Sequence, residues 1–254
     1  MNKERRPLIV ANWKMNNTVS EALKFVAAFM GELKAAGSVD VVIAPPFTAL
    51  YSLGVALADT EFHMAAQNIF WEDNGAFTGE ISGAFLLDVG CRFVIIGHSE
   101  RRQLFAETDE TVNKRLQAAI RHGLTPIMCV GETLSEREGN QTFGVIEKQL
   151  TGGLKNINIA NLDDFAVAYE PVWAIGTGKT ATQAQAEEVH AMIRGWIAKK
   201  IDPATADKTR ILYGGSVKPS NSHEILSEKN VDGALVGGAS LDAKQFAGIV
   251  RSAH

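Results

Sequence analysis

Residues 165–181, FAVAYEPVWAIGTGKTA, carry the reading on which the fold depends. The apolar run over 165–169 has the length of a buried strand and is too short for a helix of its own. Pro171 stops that run and biases Glu170 away from helical angles, so Glu170 stands at a strand's carboxyl end. Val172, Trp173 and Ile175 then place apolar side chains in a loop with Gly176 and Gly178, a composition suited to a hinged lid. Thr182 with Gln185 forms a capping box that opens a helix over 182–200. The glycine segment touches two nucleotide-binding patterns and satisfies neither. Trp173 occupies the place of the first P-loop glycine, and six residues, Glu170 to Ile175, separate the strand from Gly176.

The same alternation extends in both directions. Strands are expected over 8–11, 39–44, 62–66, 93–96, 125–130, 165–169, 209–213 and 232–236. Between them lie helical patterns. The first is opened by a Thr18–Glu21 capping box, with Val19, Leu23, Val26, Met30 and Leu33 at helical spacing; others cover 47–58, 81–89, 108–122 and 133–150. Helical patterns also follow the last two strands. About eight strand-helix units succeed one another without a linker, and the strands are continuous apolar runs, as expected when both sheet faces are covered. This points to a single α/β domain over 1–254, a (β/α)8 barrel of parallel strands ringed by helices. An open doubly wound sheet is the other arrangement of such units.

The formal charge of -4 argues against a nucleic-acid footprint or an anionic membrane surface, while leaving room for a small anionic substrate. No apolar run approaches a membrane span, and no signal-type apolar region precedes the first strand, so a cytoplasmic setting is expected. The two cysteines, Cys91 and Cys129, lack metal-ligand spacing and lie in apolar surroundings, which reads as buried thiols with no metal site.

A parallel barrel gathers its chemistry at the carboxyl ends of its strands. Those ends carry Asn12 and Lys14, then Gly97-His98-Ser99-Glu100, then Glu170, then Gly214-Gly215-Ser216, then Gly237-Gly238. A lone lysine there is ordinarily solvated and a lone histidine packed; their joint appearance with a carboxylate points to a site. Paired glycines ahead of helix starts bring backbone N–H groups to an anion, so Ser216, Gly237 and Gly238 read as a phosphate site, joined by Gly176 when the lid closes. The remaining histidines have plainer places: His63 in a strand, His122 at a helix end, His190 and His223 on helical patterns, His254 at the terminus. One loop, 68–80, lacks periodicity yet holds Phe70, Trp71 and Phe77. Such a loop is covered either by a partner subunit, most simply an identical one, or by its own barrel.

Over nearly its whole length the chain resembles the triosephosphate isomerase family. The matching stretches are VANWKMN, APPF, AAQNIF with GAFTGE, IIGHSERR, CVGE, AYEPVWAIGTGKTA, YGGSVKP and DGALVGGASL. The resemblance implies a homodimer without a cofactor that interconverts dihydroxyacetone phosphate and glyceraldehyde 3-phosphate in glycolysis and gluconeogenesis. It implies Glu170 as base, a neutral His98 as electrophile, and Lys14 and Asn12 as substrate contacts. It also implies Ile175, Gly176, Ser216, Gly237 and Gly238 as phosphate contacts, with Thr78 beside Phe77 reaching into the partner's site. Ser99 and Glu100 have supporting places. Glu100 has three readings: it orients Lys14, shuttles protons or supports its loop. Two rivals remain in view: another phosphosugar barrel such as an aldolase, and a phosphate-ligand binding protein without turnover.

Overall fold

The apolar runs become eight parallel strands, and the first pairs with both the second and the last, so the sheet closes on itself. The computed structural model describes residues 5–33, 36–175 and 181–253. In chain order the elements are β1 (Leu8–Asn12), α1 (Val19–Glu32), β2 (Asp40–Ala44), α2 (Phe47–Leu57), β3 (His63–Ala66), α3 (Gly83–Asp88), β4 (Cys91–Ile96), α4 (Ser99–Leu104), α5 (Asp109–Arg121) and β5 (Thr125–Val130). There follow α6 (Leu134–Glu138), α7 (Thr142–Gly153), β6 (Ala166–Tyr169), α8 (Gln183–Lys200), α9 (Pro203–Lys208), β7 (Arg210–Tyr213), α10 (Ser222–Leu226), β8 (Gly233–Val236) and α11 (Ala243–Arg251). This is the (β/α)8 barrel expected from the strand spacing, and the open doubly wound sheet is excluded by the β1–β8 pairing.

Strand alternation builds two cores. Leu8, Val10, Val42, Phe93, Ala168 and Leu212 point into the barrel, while Ile9, Val41, Val167, Tyr169, Ile211 and Tyr213 point out to the helix layer. Burial on both faces explains why polar residues are nearly absent from these runs. The helix starts follow their local signals: Thr18 with Glu21 and Thr182 with Gln185 both form complete capping boxes.

The pattern over 133–150 resolves into two helices, α6 and α7, because Gly139 caps the first and Asn140 takes a left-handed φ of 55° that no continuous helix tolerates. Both cysteines are free and buried, and burial pushes the Cys91 thiol up to about 12. Loop 68–80 divides its aromatic residues. Trp71 packs back on its own barrel, stacked on Phe70 at 4.2 Å and covered by the Arg115 guanidinium 4.8 Å from its ring. Phe77 stays 42% exposed and Thr78 is exposed beside it.

Candidate active site

Glu170 sits one residue beyond β6, with its N–H donating to the Val130 carbonyl at 2.8 Å. Glycine is required on both sides of it. A Cβ on Gly131 would lie 1.9 Å from the Glu170 carbonyl oxygen, and one on Gly214 would lie 2.8 Å from Glu170 Cγ. The carboxylate is therefore pinned in a slot and is only 1% exposed. Its Oε2 accepts the Ser99 N–H at 2.8 Å, so Ser99 supports the carboxylate through its backbone.

His98 caps the start of α4. Its Nδ1 accepts the Glu100 N–H at 3.2 Å, so in the neutral ring the proton belongs on Nε2. Nε2 lies 2.8 Å from Glu170 Oε1, so imidazole and carboxylate face each other directly. The imidazole's pKa is raised from its ordinary value. Burial is the largest single influence and favours the neutral ring, but the Glu170 and Glu100 carboxylates together outweigh it, with Lys14 opposing them.

Lys14 has a left-handed φ of 54°, a strained angle for a non-glycine residue. Three contacts impose it. Its N–H donates to Asn12 Oδ1 at 3.1 Å, its carbonyl accepts from Gln67 Nε2 at 2.8 Å, and the fully buried Trp13 is anchored by Nε1 donating to the Ser240 carbonyl at 3.0 Å. Gln67 also donates to the Ala44 carbonyl at 2.9 Å, tying Lys14 to the end of β2. The Lys14 ammonium pairs closely with Glu100, and its stem passes over Gly237, where a Cβ would be 3.5 Å from Lys14 Cε. Gly238 opens onto free space.

Asn12, Lys14, His98, Glu170, Ile175, Ser216, Gly237 and Gly238 all line one cavity of about 470 Å³ at the carboxyl ends of the strands. Glu100 lines a neighbouring cavity of about 190 Å³, which Asn12, Lys14 and His98 also reach. The Glu100 carboxylate pairs with Lys14, and its backbone N–H donates to His98 Nδ1. Gly176, expected at the phosphate, lies outside the described residues. Phe77 and Thr78 line neither cavity of this chain.

Several residues at the site have no role in the reading from sequence, although Gln67, Glu132 and Lys218 lie within its matching stretches. Lys218 and Gln245 line the main cavity, and Gln67 sets the Lys14 backbone. Glu132 is fully buried, and its Oε1 accepts from Tyr169 Oη and Trp173 Nε1, each at 3.0 Å. Burial raises its pKa against those hydrogen bonds. Glu132 thereby anchors the Val172–Ala174 turn directly after Glu170.

Residues 7–253 match the model of the triosephosphate isomerase family. The chain belongs to the triosephosphate isomerase family. It is 56% identical over 247 residues to the triosephosphate isomerase of Geotalea uraniireducens, an alignment that covers 97% of this chain and 98% of that protein. It is 55% identical to the triosephosphate isomerase of Trichlorobacter lovleyi over the same shares of the two chains. To the triosephosphate isomerase of Moorella thermoacetica it is 54% identical over 246 residues, again 97% of this chain and 98% of that one.

Proposed function

We propose that this chain interconverts dihydroxyacetone phosphate and D-glyceraldehyde 3-phosphate by moving a proton between neighbouring carbons through an enediolate. The observation that carries the reading is the convergence of Glu170, His98, Lys14 and Asn12 with Ser216 and the Gly237-Gly238 backbone in one cavity. The phosphate belongs at the glycine end, where backbone N–H groups and the start of the Gly238–Leu241 turn favour an anion. That placement puts the reacting carbons toward Glu170.

Glu170 is the base: buried and slotted, it removes a proton beside the carbonyl and returns it one carbon along. His98 Nε2–H and the Asn12 amide face the oxygens on which charge develops, and Lys14 adds a positive charge nearby. Substrate lying between Glu170 and His98 takes the imidazole away from that carboxylate. Burial, the largest influence, and Lys14 are then opposed by Glu100 alone, a balance that favours the neutral ring that donates from Nε2. A general base contributes ~10²–10⁴-fold, so positioning and the oxyanion donors supply the remainder. Exclusion of water also protects the enediolate from losing its phosphate.

The active form is a homodimer in the cytoplasm, serving glycolysis and gluconeogenesis. Supporting the dimer, Met15 is 96% exposed and Phe105 64% exposed on the rim of the smaller cavity, and Phe77 stays 42% exposed although its ring meets Phe70 at 4.8 Å. Thr78 of one subunit is assigned to the other's site.

A coupled assay with glyceraldehyde 3-phosphate, repeated on Glu170→Ala, tests the reading. Isomerisation that Glu170→Ala abolishes supports it. Cleavage or condensation would make the chain an aldolase, and phosphate-ligand binding without turnover would make it a binding protein.

A further inference from the structure

His190 is a titratable residue with no place in the proposed chemistry, and it is buried completely. It lies on α8, where Nδ1 donates to the Ala186 carbonyl at 2.7 Å, so the neutral ring carries its proton there and Nε2 is an acceptor. Beside the Leu212 backbone of β7, Nε2 has no well-formed hydrogen bond among the described residues. Burying an unmet acceptor is unfavourable, and an apolar residue of similar volume would pack the same space without that penalty.

What the ring touches gives it a use. Its edge-to-face contact with Tyr169 has centroids 5.7 Å apart, and its tilted contact with Tyr213 has centroids 6.2 Å apart. Tyr169 and Tyr213 are register partners on β6 and β7, and both point out to the helix layer. Each immediately precedes a functional segment. Tyr169 leads into Glu170, and its hydroxyl holds Glu132, which in turn holds Trp173. Tyr213 leads into Gly214-Gly215-Ser216, and its hydroxyl lies so close behind Gly215 that a Cβ there would be 2.3 Å from it. The two segments are also joined directly, since the Gly214 N–H donates to the Tyr169 carbonyl at 2.7 Å.

We infer that His190 is a positioning residue: its tethered ring, wedged against the Tyr169–Tyr213 pair, sets the separation between the base segment at Glu170 and the phosphate segment at Ser216. The inference rests on the isomerase reading of the cavity. A ring fixed by a hydrogen bond to its own helix holds two tyrosines at one spacing more tightly than a freely rotating aliphatic side chain does. The distance from base to anchored phosphate decides whether the reacting carbon meets the carboxylate, and a misplacement of about 1 Å costs on the order of 10²-fold in rate.

The test compares His190→Leu, His190→Asn and His190→Phe in the full-length protein, well below their unfolding midpoints. The readouts are kcat, KM for glyceraldehyde 3-phosphate and the inhibition constant of inorganic phosphate. The ring-less variants, Leu and Asn, should lose about 10-fold or more in kcat with an unchanged inhibition constant for inorganic phosphate, which needs only one arm; His190→Phe should recover much of the loss. If His190→Leu does not fold, His190→Asn, which keeps a donor for the Ala186 carbonyl, decides. Wild-type kcat in either ring-less variant overturns the inference, even if its melting temperature falls. If neither ring-less variant folds, a folded His190→Phe with kcat more than about 10-fold below wild type overturns it, because a ring in that place then fails to hold the spacing. Loss of activity in Glu170→Asp alongside a fully active His190→Leu would sink this inference and leave the isomerase reading standing.

Discussion

Replacing Glu170 with aspartate shortens the side chain by one methylene and withdraws the carboxylate by about 1.5 Å. The backbone has no room to follow. Gly131 and Gly214 press on Glu170 so closely that even a methyl group on either would collide with it. The withdrawn carboxylate loses its 2.8 Å contacts with the Ser99 N–H and His98 Nε2 and moves away from the substrate carbons. At about 10²-fold per ångström of misplacement, and with a general base supplying at most ~10⁴-fold, kcat should fall between about 10²- and 10⁴-fold. That corresponds to about 2.7–5.5 kcal/mol of lost transition-state stabilisation. Ser216, Gly237 and Gly238 do not depend on this side chain, so the inhibition constant of inorganic phosphate should stay within about twofold. Steady-state kinetics with phosphate as competitor reads both values. Unchanged kcat would remove Glu170 from the mechanism, and an equal loss in phosphate binding would show that the slot had collapsed.

His98→Gln should keep the fold and lose most of kcat, and a variant that retained it would move carbonyl polarisation elsewhere. The same substitution tests the linkage of His98 to stability. Because its folded pKa is raised above the ordinary value near 6.5, its contribution is fully present below that pH and is lost as pH rises through the folded value. Unliganded wild type minus His98→Gln should therefore show a melting-temperature advantage that shrinks with rising pH; a growing one would reverse the sign. Gln67→Ala frees the left-handed Lys14 backbone and leaves two carbonyls without that donor, so KM should rise by about 10-fold with a loss of about 1–3 kcal/mol in stability. Unaltered KM would mean that Lys14 holds its conformation unaided. Deleting Phe77 and Thr78 should give weakly active monomers by sedimentation, and a full-rate dimer would refute the interlocking loop.

Much of this architecture was legible because its signals are local. A proline after an apolar run fixed the end of β6, capping boxes fixed the starts of α1 and α8, and paired glycines marked the loops after β7 and β8. The break between α6 and α7 was local too: Gly139-Asn140 ends α6, a polar helix without a buried residue, ahead of the apolar face of α7. Gln67, Glu132 and His190 belong to another kind. Each looks ordinary in its own segment and acquires its contacts from distant positions: Gln67 from Lys14, 53 residues away, Glu132 from Tyr169 and Trp173, 37 and 41 residues away, and His190 from the strands on either side of α8. Trp71 shows the same limit: a bare count of aromatic residues in loop 68–80 does not reveal that α5 offers Arg115 as a cover for one of them and nothing for Phe77.

Running the reaction in deuterated water tests most directly whether the buried carboxylate carries the proton. The wild-type product should acquire solvent deuterium on the carbon beside the carbonyl, and Glu170→Ala should form neither product nor exchanged substrate at a comparable rate. Turnover that leaves that carbon free of deuterium while proceeding at full rate in Glu170→Ala would contradict the account.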